Sequence, residues 1–333
     1  MSRTLLRLSV SALLCCALAA AATDAARAQQ PTPVPAPAAA AAAAPPDTEI
    51  YVVEMKTAAG GAVEFARPAN VTNRAGYDNQ PSFTPDGRAV LFTSQRDDGQ
   101  TDIYRLDLTT GATARLTSTP ESEYSPTVTP DGKFFSVVRV EADKTQRLWK
   151  FPLAGGGGAP TLVMTDVKPV GYHLWLDSRT LALFVLGAET RPHTLQVAML
   201  GKRPGEVVEL STLATNVGRS LLRVAGRRDT FSFVHKLSPE NWVVKTVDLK
   251  THRTAALGKT LPGSEDLAWL PDGSLLMARE AKLFRLDPAR AQEGWREIAD
   301  FTSAGLRRIT RLAVSPRADR LALVAQTDAP AGR

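Results

Sequence analysis

The sequence predicts an all-β fold: a six-bladed β-propeller of four-stranded antiparallel blades, with the closing blade shared by N- and C-terminal strands. Three observations predict it. A four-stranded unit, Tyr77 to Thr117, reads as a run of short alternating strands separated by tight turns. Equivalent positions, Phe83, Val128, Trp175, Val224, Trp269 and Val314, recur at spacings of 45, 47, 49, 45 and 45 residues. The chain also opens on the second half of such a unit and stops after the first half of another. Short strands at a fixed period of about 40 to 50 residues mark a propeller, and complementary halves allow the ring to close without an unpaired edge.

The first 28 residues stand apart from this pattern. Arg3 and Arg7 precede an apolar run from Leu8 to Ala22, and Ala26-Arg27-Ala28 follows. This is the pattern of a secretory signal peptide with cleavage before Gln29; the run is short for a spanning helix. Both cysteines, Cys15 and Cys16, fall inside it, so the mature chain is expected to reach an oxidising compartment with no disulfide and to depend on its core alone. Gln29–Asp47, QQPTPVPAPAAAAAAAPPD, reads as a disordered proline-alanine tether. The propeller is expected over 48–327, with a flexible tail at 328–333. The full chain carries a formal charge of +6, and loss of Arg3, Arg7, Arg27 and Asp24 leaves about +4. That excess is scattered in ones and twos, with no basic block, which excludes a nucleic-acid partner.

The units follow in order. Tyr51–Lys56 and Ala62–Phe65 are the opening half, and Thr48-Glu49-Ile50-Tyr51 matches Thr101-Asp102-Ile103-Tyr104 of the first full unit. In that first unit, Asp86-Gly87 turns Pro81–Phe83 into Ala89–Ser94, Asp97–Gln100 turns again into Ile103–Leu108, and Thr110-Gly111 leads to Ala114–Thr117. The second runs from Pro126 to Met164, its last strand reached through Gly155–Gly158. That glycine run lacks the lysine and serine or threonine of a phosphate loop and joins two strands, so it is an outer hairpin loop. The third spans Tyr172–Leu210. The fourth, Ser220–Leu257, is the most degenerate. The fifth restores the turn at Leu270-Pro271-Asp272-Gly273, and Pro288–Ile298 reads as a long loop with one turn of helix. The sixth, Arg311–Val324, has two strands.

Pro81–Asp107, PSFTPDGRAVLFTSQRDDGQTDIYRLD, resembles the repeat of the TolB-like propellers (WD40-like, PD40 repeats). Pro126–Gly132 repeats the signature, Leu270–Gly273 keeps its turn, and Ser315-Pro316 keeps a fragment. The resemblance implies a propeller over about 280 residues. The bacterial translocation protein of that family carries an N-terminal α/β domain, in whose place the tether stands here. The same repeat fronts secreted peptidases of the prolyl-oligopeptidase type, whose α/β-hydrolase domain has no counterpart here.

In a propeller the inner strand of each blade lines the channel, so the residues just before it form a funnel mouth. The candidate binding residues are Tyr77, Asp78 and Asn79; Glu123 and Tyr124; Tyr172 and His173; Arg219; Glu265 and Asp266; and Arg308 and Arg311, with Gln80, Ser125, Ser220 and Arg307 beside them. Asn79 and Ser125 also suit turn caps, and Asp86, Asp131 and Asp272 belong to the turns themselves. His173, between Tyr172 and Trp175, reads either as a ligand contact or as a packed histidine. His193, His235 and His252 fall on outer segments, which excludes a histidine metal site. No cofactor is expected; a channel calcium ion would draw on Asp78, Glu123, Glu265 and Asp266. No G-x-S-x-G, no H-E-x-x-H and no mature cysteine is present, so no catalytic residue is assigned. The expectation is a monomeric, non-catalytic binding or scaffolding propeller, periplasmic or secreted, that takes an envelope protein, a peptide or a small ligand. The alternative is a propeller hydrolase or lyase working on carbohydrate or peptide through Glu123 and Glu265.

Overall fold

The computed structural model describes residues 46–58, 61–96, 99–154 and 159–327. The stretch expected to be a signal peptide (1–28), the expected tether up to residue 45, the glycine run 155–158 and the expected tail 328–333 lie outside them. Among the described residues the strands form six antiparallel sheets. Blade 1 holds β4 (Asp78–Phe83), β5 (Ala89–Gln95), β6 (Thr101–Asp107) and β7 (Thr113–Arg115). Blade 2 holds β8 (Ser122–Val128), β9 (Phe134–Val140), β10 (Gln146–Pro152) and β11 (Thr161–Leu162). Blade 3 holds β12 (Val170–Trp175), β13 (Thr180–Val185), β14 (Thr194–Leu200) and β15 (Val207–Thr215). Blade 4 holds β16 (Val217–Arg223), β17 (Thr230–Ser238), β18 (Asn241–Asp248) and β19 (Thr254–Lys259). Blade 5 holds β20 (Leu267–Trp269), β21 (Leu275–Arg279), β22 (Lys282–Leu286) and β23 (Arg296–Asp300). The closing blade joins β24 (Leu306–Val314) and β25 (Arg320–Thr327) to β1 (Glu49–Thr57) and β2 (Val63–Phe65) in the order β2-β1-β25-β24, with β3 (Ala69–Asn70) also against β1. The β1–β25 register runs from Glu49 opposite Ala325 to Glu54 opposite Arg320. The ring is tied shut by both halves of the chain, as the sequence predicts.

The second strands are apolar on both faces because a neighbouring blade covers each face. Ala89-Val90-Leu91-Phe92 and Leu321–Ala325 are buried throughout. The core divides into six clusters, one at each seam. Phe92 and Tyr104 of blade 1 meet Ile50 and Val324 of the closing blade, and Leu91 and Ile103 meet Phe135 and Val137 of blade 2. Each large side chain sealed this way contributes roughly 1.5–3 kcal/mol, so the seams hold the ring. Two seams add a polar tie: Trp175 Nε1 donates to Ser136 Oγ at 2.8 Å and Trp269 Nε1 to Ser232 Oγ at 2.9 Å.

The turn aspartates are structural. Asp86 accepts from Thr84 Oγ1 at 2.6 Å and from the Arg88 amide at 3.0 Å, and Asp131 repeats both bonds with Thr129 and Lys133. Gly87, Gly132 and Gly273 follow at φ near +70 to +80° (67, 68 and 81°). Three expectations need correction. Arg223, not Val224, occupies the fourth equivalent position, since Arg223 lies opposite Phe231 as Phe83 lies opposite Val90; the blade 4 turn is one residue longer. The turn of helix expected within 288–298 is present as a 3-10 segment, Pro288–Glu293, and only the loop reading of 296–298 gives way, because β23 starts at Arg296. Most candidate residues lie within inner strands instead of before them. The ladder continues upstream of Pro81 and Pro126 through β-bulges, where Gln80 and Ser125 each take φ +55° and the missing proline N–H is not needed.

Candidate functional site

The inner strands place one stretch of each blade around a channel. Three cavities share their lining in succession. A mouth of about 460 Å³ is lined by Arg219, Glu265, Asp266, Arg308 and Arg311. A neck of about 170 Å³ is lined by Gln80, Ser125, Tyr172, His173, Arg219, Asp266 and Arg311. An apolar mouth of about 840 Å³ at the other end is lined by Phe83, Leu174, Leu222, Trp269, Pro271 and Val314.

The neck brings six predicted residues into one network. Arg311, on β24, donates from Nη1 to Asp266 Oδ1 at 2.9 Å, from Nη2 to Tyr172 OH at 2.8 Å and from Nε to Asn79 Oδ1 at 3.3 Å. Its guanidinium also sits 5.3 Å from the Tyr172 ring centroid. Arg219, on β16, donates to Glu265 Oε1 at 2.7 Å and to Asp266 Oδ2, and its amide reaches Glu265 Oε2 at 3.2 Å. Lys236 Nζ completes the set at 3.0 Å from Glu265. Burial disfavours the charges here, but the opposite charges outweigh it. Glu265 is held below the usual carboxylate range by Arg219 and Lys236, and Arg311 is raised above the usual guanidinium value by Asp266 and Tyr172. Gln80 Oε1 accepts from Thr93 Oγ1 and from the Ser125 amide, both at 2.8 Å, which ties blade 1 to blade 2 beside the neck. Tyr77 faces the same charges. Burial pushes its hydroxyl up to about 12, with Arg311 opposing and Tyr172 and Tyr124 adding to the rise.

Other predicted residues do not join this network. Asp78 is fully buried at a seam and pairs with Arg74 at 3.1 Å, where burial raises its carboxyl pKa against the pull of Arg74. Glu123, also fully buried, accepts from Thr119 Oγ1 and lies 3.9 Å from Arg139 Nε. Burial pushes its carboxyl up to about 7, opposed by that hydrogen bond and aided by nearby Asp102. Arg308 is exposed at the mouth. The four carboxylates weighed for calcium are thus divided between two seams and the neck, and among the described residues no three histidine, cysteine or acidic side chains form a metal-sized group.

His173 is a packed histidine. Ser136 Oγ accepts from Trp175 Nε1 and donates to the Thr127 carbonyl at 3.2 Å. Ser136 Oγ also shares a 2.6 Å hydrogen bond with His173 Nε2, and His173 Nδ1 is buried without a partner. Burial pushes the ring pKa down to about 3, so the ring is neutral. Sequence reasoning missed Lys236, which sits on a second strand, and the rim arginine Arg279. It also missed the apolar mouth, whose signal was the apolar and proline residues around each D-G turn.

Comparison with known proteins agrees with this architecture. The family pattern described as the TolB beta propeller domain (PD40) matches residues 34–162. The Tol-Pal system protein TolB of Bordetella pertussis is 41% identical over 64 residues, which is 19% of this chain and 13% of that protein. The chain thus aligns with only a small part of the curated relatives it matches. Among solved structures, a putative TolB from Agrobacterium tumefaciens superposes with a TM-score of 0.61 at 14% identity, covering 84% of this chain and 98% of that one. A puromycin-hydrolysing peptidase of Mycobacterium tuberculosis superposes with a TM-score of 0.51 at 16% identity, covering 79% and 47%. At these identities the likeness is one of fold.

Proposed function

We propose, from the premise that the chain is a TolB-like six-bladed β-propeller, that it is a non-catalytic binding module of the bacterial envelope. Its charged mouth receives a segment of a peptide or protein, and the chain works in the periplasm. The observation that carries this reading is the convergence of Asn79, Tyr172, Arg219, Glu265, Asp266 and Arg311 from five blades on one neck. A rigid polar constriction below an open mouth with rim arginines suits insertion of a segment. The relatives' printed name, Tol-Pal system protein, fits an envelope partner. Against the hydrolase alternative stand the partners of its two acids. Glu265 is paired to Arg219 and Lys236, and Glu123 is sealed in a seam that no substrate reaches. A general acid and a general base need access to the same bond.

The test is a crosslinking pull-down from native periplasm with the tagged chain and with Arg308→Asp. Among the described residues the exposed Arg308 side chain makes no hydrogen bond or ion pair that its replacement would break. A reproducible envelope partner, depleted by Arg308→Asp, is the expected outcome; recovery of no reproducible partner would overturn the reading.

A further inference from the structure

The neck carries an uncompensated charge. Its network contains three cations, Arg219, Lys236 and Arg311, and two carboxylates, Glu265 and Asp266, all between 13 and 30% exposed. The nearest other candidate acids are committed elsewhere, Asp78 to Arg74 and Glu123 to Thr119 and Arg139. Tyr77 cannot serve as the missing anion, because its hydroxyl stays protonated far above neutral pH. A half-buried site with one surplus positive charge is costly unless a counter-charge arrives.

Two buried donors beside the neck are unpaired. Arg311 uses all three of its nitrogens, on Asn79, Asp266 and Tyr172. Arg219 uses Nη1 and Nη2 on Glu265 and Asp266, but its buried Nε–H has no acceptor. Ser125 Oγ, in blade 2, is likewise buried without a partner. Both residues line the 170 Å³ neck. The neck therefore holds unused donors together with one unit of positive charge.

We propose that the neck is a seat for a single carboxylate carried by the bound segment, either an acidic side chain or a C-terminus. The inference rests on the reading of the mouth as a peptide site. One carboxylate accepts from Arg219 Nε and from Ser125 Oγ and brings the network to neutrality. A phosphate dianion would overshoot to a net negative charge, and a basic side chain would add to the surplus. The unpartnered His173 Nδ1, from a residue on the same lining, is a further polar contact for the segment's backbone. The occupant is thus a peptide with a negative group, not a free inorganic anion.

Calorimetric titration of the full chain with three short peptides tests this. The probes are acetylated and amidated Ala-Ala-Glu-Ala, the same peptide with Gln for Glu, and acetylated tetra-alanine with a free C-terminal carboxylate. The expected result is that at least one carboxylate peptide binds about tenfold or more tightly than the Gln peptide; which of the two does so identifies the source of the charge. Arg219→Lys, which keeps the positive charge and removes the Nε–H, is expected to abolish that preference. If Arg219→Lys does not fold, Ser125→Ala gives the same readout with a weaker loss. Equal binding of the Gln peptide overturns the carboxylate seat and leaves the binding module standing. Absence of binding by all three also overturns the seat, whereas the module reading falls only if the pull-down recovers no partner.

Discussion

Two pairs of acids occupy matching places on the inner side of the ring, and they behave in opposite ways. Glu265 and Asp266 sit where three cations from two other blades converge, and the carboxylates are the charges that hold those cations together. Asp78 and Glu123 lie on the seam side of β4 and β8, fully buried, where burial works against ionisation and the nearby arginines and hydrogen bonds only partly offset it. Charge at the neck is paired and supports the fold; charge at the seams is tolerated. The same residue type thus takes its role from which side of a strand it leaves.

Removing one acid from each set separates them most sharply. Asp266→Asn leaves Arg219 and Arg311 facing each other without their shared counter-charge. At pH 7 it should destabilise the fold by about 2–3 kcal/mol, below the roughly 3–5 kcal/mol of a fully buried broken pair because these side chains keep some water. Urea unfolding measures this, and an unchanged midpoint would show that the neck is held by something else. Glu123→Gln should do the reverse. The folded-state pKa of about 7 stands above the unfolded value near 4.5, so the folded chain binds the extra proton between those values. Stability is therefore fully present below about pH 4.5 and is lost as pH rises to about 7. Gln keeps the acceptor for Thr119 and carries no charge, so the variant should exceed the wild type by about 2 kcal/mol at pH 8, with the gap closing at pH 5. A variant less stable than wild type at pH 8 would refute the assignment.

Why the two sets were not told apart in the sequence follows from how each signal is encoded. The turns Thr84-Pro85-Asp86-Gly87 and Thr129-Pro130-Asp131-Gly132 announce themselves within four residues, because side-chain-to-backbone bonds and one positive φ set them locally. Their recurrence gave the blade count, and the half-units at either end gave the closure. Strand side is a different matter. The bulges at Gln80 and Ser125 insert an extra residue and reset the alternation, so Asp78 and Glu123 look like rim residues although they enter the seams. The neck network is less legible still. Arg311 meets Asn79 across 232 positions and Tyr172 across 139. The sequence put these residues on the same ring, but only closure of the ring decides which of them touch.

Asp78 lies between the two extremes and offers the finest test. It shares full burial with Glu123, which raises its pKa, and shares a close ion pair with the neck acids, here Arg74 at 3.1 Å. Asp78→Asn therefore removes a desolvation cost and a favourable pairing together. The Arg74 side chain is 26% exposed, so water takes over much of its solvation once the carboxylate is gone. The net rise in the Asp78 pKa gives the sign: burial outweighs the pair. Asn should raise stability at pH 7 by less than about 1 kcal/mol, and the gain should vanish near pH 3, where Asp78 is protonated in both states. A clear loss of stability at pH 7 would place Asp78 with the neck acids, and would mean that an arginine partner, not the side of the strand, decides whether a buried carboxylate in this ring supports the fold.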